Sequence, residues 1–225
     1  MTAAAPVIAV DGPAASGKGT IAQGAAHALG FHYLDSGSLY RLVAFKALAE
    51  GIAPEQESRL AQAAEGLAST FVGERILLDG ADVTAAIRSP EVSAAASQIA
   101  IHPRVRQALL SLQRSFRGSP GLVADGRDMG TVVFPDARLK VFVTASAEER
   151  ARRRYKQLIE KGNSVTLQSL LRDIRERDAR DGARAVAPLR PAADAIILDT
   201  TGMSVAASIT FVVQRYRAFE AASKQ

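Results

Sequence analysis

Apolar residues recur along this chain in two rhythms. Short continuous runs such as Val7-Ile8-Ala9-Val10 and Leu139-Lys140-Val141-Phe142-Val143 close on polar residues, the pattern of strands covered on both faces. Longer stretches repeat apolar positions at helical spacing. In order, the pattern predicts a strand over 7–11, a helix over 21–29 stopped by Gly30, a strand over 32–34, and helices over 36–50 and 54–68. From 70 to 83, β-prone runs alternate with the turn dipeptides Gly73-Glu74 and Asp79-Gly80, which predicts a small antiparallel meander. Helices over 89–101 and 103–116 are separated at His102-Pro103, because the residue before a proline is pushed out of the helical region. Strands over 121–125, 139–144 and 195–199 then interleave with helices over 148–161, 167–180 and 205–221. Strands separated by helices imply an α/β fold whose parallel sheet is covered on both faces.

The composition narrows the classes without changing this picture. A chain of 225 residues that is 48% hydrophobic and 23% charged has enough apolar content for one substantial core, so disorder is excluded. Absence of cysteine removes disulfides, thiolate nucleophiles and Cys-based zinc sites, and His27, His32 and His102 form no ligand cluster in the sequence. No window is long enough to span a membrane, and residues 1–10 lack the basic start of a signal peptide. The expectation is a cytoplasmic protein.

The net charge of +5 is unevenly placed. Between Arg150 and Arg190, ten Arg and two Lys face five carboxylates, leaving that stretch at +7 and the remainder at −2. Such an excess suits phosphate recognition, for which the guanidinium fork is adapted. Part of it also fits a solvated helical face, since Glu148/Arg152, Glu149/Arg153, Asp173/Arg177 and Glu176/Arg180 have i,i+4 spacing.

The sharpest motif is Gly12-Pro13-Ala14-Ala15-Ser16-Gly17-Lys18-Gly19-Thr20, between a predicted strand and a predicted helix. In that setting the glycines allow backbone N–H groups to converge on phosphate, the helix N-terminus adds partial positive charge, and Lys18 reaches the outer phosphates. The residue after Lys18 is Gly19, with the hydroxyl one place later at Thr20. Direct Mg²⁺ coordination by that side chain is therefore not expected; the metal is held by nucleotide oxygens and water. No side chain is assigned as a metal ligand. Asp125, ending an apolar strand, is either an acid linked to metal through water or a strand-ending turn residue.

Together with this loop, Asp35-Ser36-Gly37-Ser38-Leu39-Tyr40-Arg41, Ala95-Ala96-Ser97-Gln98, Pro103-Arg104-Val105-Arg106, Asp125-Gly126-Arg127-Asp128-Met129-Gly130-Thr131, and Glu176-Arg177-Asp178-Ala179-Arg180-Asp181 followed by Arg184 resemble the bacterial cytidylate kinases over nearly the whole chain. The resemblance implies a P-loop kinase with a five-stranded parallel sheet flanked by helices, a small antiparallel β insert in the monophosphate-binding region, and an Arg-rich helical lid. It places the core in 1–35, 119–147 and 190–225, the monophosphate region in 36–118 and the lid in 148–189. It also implies ATP bound by residues 12–20, catalytic roles for Lys18, Arg127, Arg177 and Arg184, and CMP bound by Ser36, Arg41, Ser97, Arg106, Arg127, Asp128, Arg177, Asp181 and Arg184. Mg²⁺ accompanies ATP.

Residue chemistry agrees with these positions and leaves some open. Phosphoryl transfer between two nucleotides needs cations that do not titrate, and Arg41, Arg127, Arg177 and Arg184 supply them. Arg177, Asp181 and Arg184 are spaced to form either a phosphate-binding cluster or a surface ladder. Cytosine offers an N4 donor beside N3 and O2 acceptors, so Asp128 can accept while Arg106 and Ser97 donate. Asp128 alone also reads as a turn carboxylate paired with arginine, and Asp35-Ser36 as a helix cap. Tyr40, Tyr155 and Phe116 read as packing residues, and His102 as a turn residue rather than a base.

The expected activity is transfer of the γ-phosphoryl group of Mg·ATP to CMP or dCMP by a monomer that binds neither nucleic acid nor membrane. The alternatives are a sibling kinase acting on AMP, UMP or shikimate, a GTP-driven switch, or an RNA-binding module. The only asparagine is Asn163, followed by Ser164, so there is no Asn-Lys-x-Asp guanine reader. The basic stretch carries no interleaved aromatic platform of the kind single-stranded RNA stacks on.

Overall fold

Every residue of the first strand, β1 (Val7–Asp11), is buried, as the unbroken apolar run requires of a strand at the centre of a parallel sheet. It pairs in parallel with β6 (Leu122–Gly126) on one side and β7 (Leu139–Thr144) on the other. With β2 (His32–Asp35) and β8 (Ile196–Asp199) at the edges, the sheet order is β2-β6-β1-β7-β8. These are findings from a computed structural model, which describes residues 4–73, 75–160 and 162–222. The chain divides into two compact units, one running to Leu34 and resuming at Phe116, the other Asp35–Ser115.

The first unit holds the parallel sheet. Helices α1 (Lys18–Leu29) and α8 (Val205–Ala222) pack together against it, and Ile8, Val10, Ile21, Val123, Val141, Leu198, Val212 and Tyr216 share one core. Gly30 ends α1 in the left-handed region at φ 67°, and the following Phe31 N–H closes on Ala26 O at 2.9 Å, as a helix C-terminus of this kind does. Helices α6 (Ala147–Glu160) and α7 (Leu167–Gly182) pair through Ala151, Leu158, Leu170 and Ile174. The predicted end of α6 at Lys161 lies outside the described residues.

The second unit is mostly helical: α2 (Ser36–Ala49) packs on α4 (Pro90–Ile99), and α3 (Glu57–Glu65) on α5 (Pro103–Ser115). Its three-stranded antiparallel sheet, β3 (Ser69–Val72), β4 (Arg75–Leu78) and β5 (Ala81–Asp82), is the meander read from the turn dipeptides. Asp79 and Gly80 both have positive φ between the paired Leu78 and Ala81, the two-residue turn whose twist suits a hairpin. Glu74, in the other turn, lies outside the described residues. The helix expected over 54–68 is shorter, Glu57–Glu65, and in the turn before it the Gln56 side chain accepts from Ala53 N–H at 3.0 Å. The His102 ring bonds Pro54 O at 2.6 Å, which gives it a structural post in the turn.

Candidate functional site

The glycine loop is built by three constraints. At Gly12, with φ 156°, a Cβ atom would lie 2.1 Å from the backbone oxygen of Val143, so only glycine allows β1 to leave the sheet there. Ala15 at φ 57° and Gly17 at φ 87° then put left-handed residues two apart, the alternation that makes successive N–H groups converge into an anion nest. Helix α1 begins at Lys18, directly behind the nest, and adds its N-terminal dipole.

The carbonyl side of the loop is occupied by cations. Lys18 Nζ donates to Pro13 O at 3.4 Å, Arg150 to Ala14 O at 3.2 Å, and Arg153 to Ser16 O at 3.2 Å. Arg153 also binds Thr200 O at 2.6 Å and Glu149 at 3.0 Å. Arg150 binds Asp178 and Ala145 O. These two arginines brace the loop from α6, and Arg153 keeps the i,i+4 pair with Glu149 that its spacing predicts. Ser16 is fully buried, and its hydroxyl has no hydrogen-bond partner among the described residues. Thr20 is exposed.

Asp125 is buried near the end of β6 and accepts from the Tyr33 hydroxyl at 2.7 Å. A Cβ at Gly19 would stand 3.6 Å from that hydroxyl and 3.9 Å from both Asp125 carboxylate oxygens. The carboxylate therefore faces the first turn of α1, next to the loop. Asp125 lies within β6 rather than in a turn beyond it.

Arg184 meets Asp181 as the spacing of Arg177, Asp181 and Arg184 suggested, and Arg127 joins them from 54 positions earlier in the chain. Arg127 Nε donates to one oxygen of Asp181 at 2.9 Å and Arg184 donates to the other, with Arg177 close enough to act on the same carboxylate. Burial raises the Asp181 pKa, but the Arg127, Arg184 and Arg177 guanidiniums outweigh it and hold the carboxyl below its ordinary value. Asp181 is fully buried, and the Arg184 side chain is only 4% exposed. The surface-ladder alternative is thereby overturned. Helix α7 ends at Gly182, so Arg184 reaches back from beyond the helix rather than along it. Three guanidiniums thus act on one carboxylate.

Asp128 is also buried, at the start of a π-helical turn, Met129–Val133, that the sequence did not reveal. The turn's first two N–H groups, on Met129 and Gly130, donate to the two oxygens of Asp11, both at 2.8 Å. Asp11 escaped notice because Asp-Gly after an apolar run reads as a turn.

In the second unit, Asp35 caps α2 by accepting from Ser38 N at 3.2 Å and also pairs with Arg41. Ser36 is buried. Ser97 is buried on α4 with no hydrogen-bond partner for its hydroxyl among the described residues. Arg106, buried on α5, donates to Ala100 O at 3.1 Å and lies over the Tyr40 ring at 5.7 Å. Tyr40 is thus more than packing, since its ring is the platform on which the guanidinium rests.

The sequence model of a family described as cytidylate kinase matches residues 8–218. A cytidylate kinase of Paraburkholderia phymatum is 58% identical over 95% of this chain and 93% of its own length. One of Bordetella bronchiseptica is 57% identical over 96% of each. Among solved structures, an uncharacterized protein from Eubacterium ventriosum aligns over 95% of this chain and 98% of its own, with a TM-score of 0.51 at 11% identity, a likeness of fold alone.

Proposed function

The chain belongs to the cytidylate kinase family, which phosphorylates CMP with ATP, and we propose an assignment of its residues to that reaction. The observation that carries the assignment is the buried Asp181 between Arg127 and Arg184, with Arg177 beside it. A carboxylate holding guanidiniums that outnumber it fixes cations in place before any phosphate arrives. Preorganised charge of this kind is the main contribution a protein makes to phosphoryl transfer, where there is little covalent chemistry to perform.

In this reading residues 12–20 cradle the ATP phosphates, and Lys18 follows the migrating γ-phosphoryl group. Arg127, Arg177 and Arg184 neutralise charge on the acceptor phosphate and in the transition state, with Asp181 orienting them. Ser36 and Arg41 bind the acceptor nucleotide, and CMP and dCMP are both accepted. Asp128 accepts from cytosine N4 while Ser97 and Arg106 donate to the ring acceptors. Support comes from the buried, unpartnered Ser97 hydroxyl and from an Arg106 guanidinium already held on Tyr40. No general base is needed, because the attacking phosphate oxygen is anionic.

The residues present also fit Mg²⁺. Asp125, fixed by Tyr33 and facing the start of α1, would hold a hydrated ion through water, and the exposed Thr20 would not coordinate it. When bound, the ion would supply positive charge to neutralise the phosphates. Residues 148–189 are the lid and 36–118 the monophosphate region. The setting is the cytoplasm and the working unit a monomer. No described helix is long and apolar enough to cross a membrane.

The test is to incubate the protein with Mg·ATP and a panel of monophosphates and follow ADP. ADP formed rapidly with CMP and dCMP and slowly with UMP or AMP is the expected result. Hydrolysis independent of acceptor would overturn it.

A further inference from the structure

We propose that Asp11 is a positioning residue for the acceptor nucleotide: by capping the Met129–Val133 turn from β1, it sets the Arg127-Asp128 pair and relieves Asp128 of that duty. The proposal rests on the reading of Asp128 and Arg127 given above.

A helical turn begins with N–H groups that have no partner inside the turn, and an aspartate at the position before it ordinarily takes them. Asp128 occupies that position, yet its side chain makes no cap bond. The cap comes instead from a residue 118 positions earlier in the chain, and both carboxylate oxygens are used. Asp11 is 6% exposed, so water does not compete for the same N–H groups. The arrangement keeps the Asp128 carboxylate out of the local bond that its sequence position favours. It also joins two parts of the site, because Asp11 is followed immediately by Gly12, the first residue of the phosphate loop. Lys18 and Asp128 are the charged groups that act on Asp11, one favouring and one opposing its ionised form.

Asp11→Asn is nearly isosteric but keeps only one acceptor oxygen, and its amide N–H₂ meets the second backbone N–H donor. The Asp128 carboxylate is then the best remaining cap for its own turn. The expected result is a rise in KM for CMP of about tenfold and a narrowed CMP:UMP ratio of kcat/KM, with KM for ATP changed by less than about twofold. KM for CMP and ATP rising together, or kcat falling with both KM values unchanged, would assign Asp11 to the phosphate loop or to the fold and overturn the proposal. If Asp128→Asn leaves the CMP:UMP ratio unchanged, the base-reading assignment fails. The role of Asp11 is then judged on the CMP-against-ATP split alone, which requires only that the turn carries Arg127.

Should Asp11→Asn not fold, the wild type answers. Amide signals of Met129 and Gly130 are expected to shift on addition of CMP without ATP; signals indifferent to saturating CMP would overturn the proposal.

Discussion

Arg150 grips Asp178 through both terminal guanidinium nitrogens, at 3.0 and 2.5 Å, while one of the two also reaches Ala14 O at 3.2 Å. One side chain thus ties the two Arg-rich helices to the phosphate loop. Lysine cannot reproduce a planar fork with bonds on three sides. Arg150→Lys is expected to lower stability by about 2 kcal/mol, since it leaves Asp178 and a loop carbonyl underpaired. KM for ATP should rise with it. Urea denaturation together with ATP titration checks both, and a change in stability without one in KM would confine Arg150 to the fold.

Lys18→Ala removes the cation behind the nest, while the loop backbone is still shaped by Gly12, Ala15 and Gly17. The expected loss in kcat is roughly a hundredfold or more, by comparison with losing one preorganised donor elsewhere. Turnover at the normal rate would refute the role given to this loop.

Asp128→Asn replaces a charged acceptor with a group that can also donate to the O4 of uracil. CMP should lose about 1.5–3 kcal/mol of interaction, which is roughly tenfold to more than a hundredfold in kcat/KM. UMP should lose less, so the ratio narrows without reversing, because Arg106 and Ser97 still oppose the uracil N3–H. Both values falling in parallel would show that Asp128 serves the turn.

Burial pushes the Asp11 carboxyl up to about 7, and Asp128 adds to this, against two N–H bonds and Lys18. The unfolded chain has the ordinary value of 3.8, so the folded protein holds a proton that the unfolded one has released across the window from about 4 to about 7. The contribution of this carboxyl to stability is therefore greatest below that window and declines as pH rises through it. Asn does not titrate. Relative to Asp11→Asn, the wild type should lose urea resistance between about pH 4 and pH 7; a gain over the same range would place the folded pKa on the other side of 3.8.

Much of this was legible because it is local. The strand–loop–helix around Lys18, the Asp79-Gly80 hairpin and the grouping of Arg177, Asp181 and Arg184 each depend on residues within a few positions of one another. The start of α3 is not legible in the same way: proline at 54 is a good first helical residue, yet the helix begins at Glu57. Asp11 with Met129, Tyr33 with Asp125 and Arg150 with Ala14 are separated by 92 to 136 positions. No periodicity or spacing rule encodes such pairs. They follow from strand order, which places β6 beside β1 and lets the ends of both strands share one edge of the sheet.

The cluster around Asp181 has a consequence beyond the chemistry of transfer. Guanidiniums that outnumber the carboxylate they surround repel one another, and an arriving phosphate weakens that repulsion. Any anion that binds the folded chain and not the unfolded one stabilises it by mass action, by about 2.7 kcal/mol at a hundred times its dissociation constant. The resistance of this protein to heat and proteolysis therefore follows the concentration of nucleotide around it, and a cell depleted of its substrates holds a less durable enzyme.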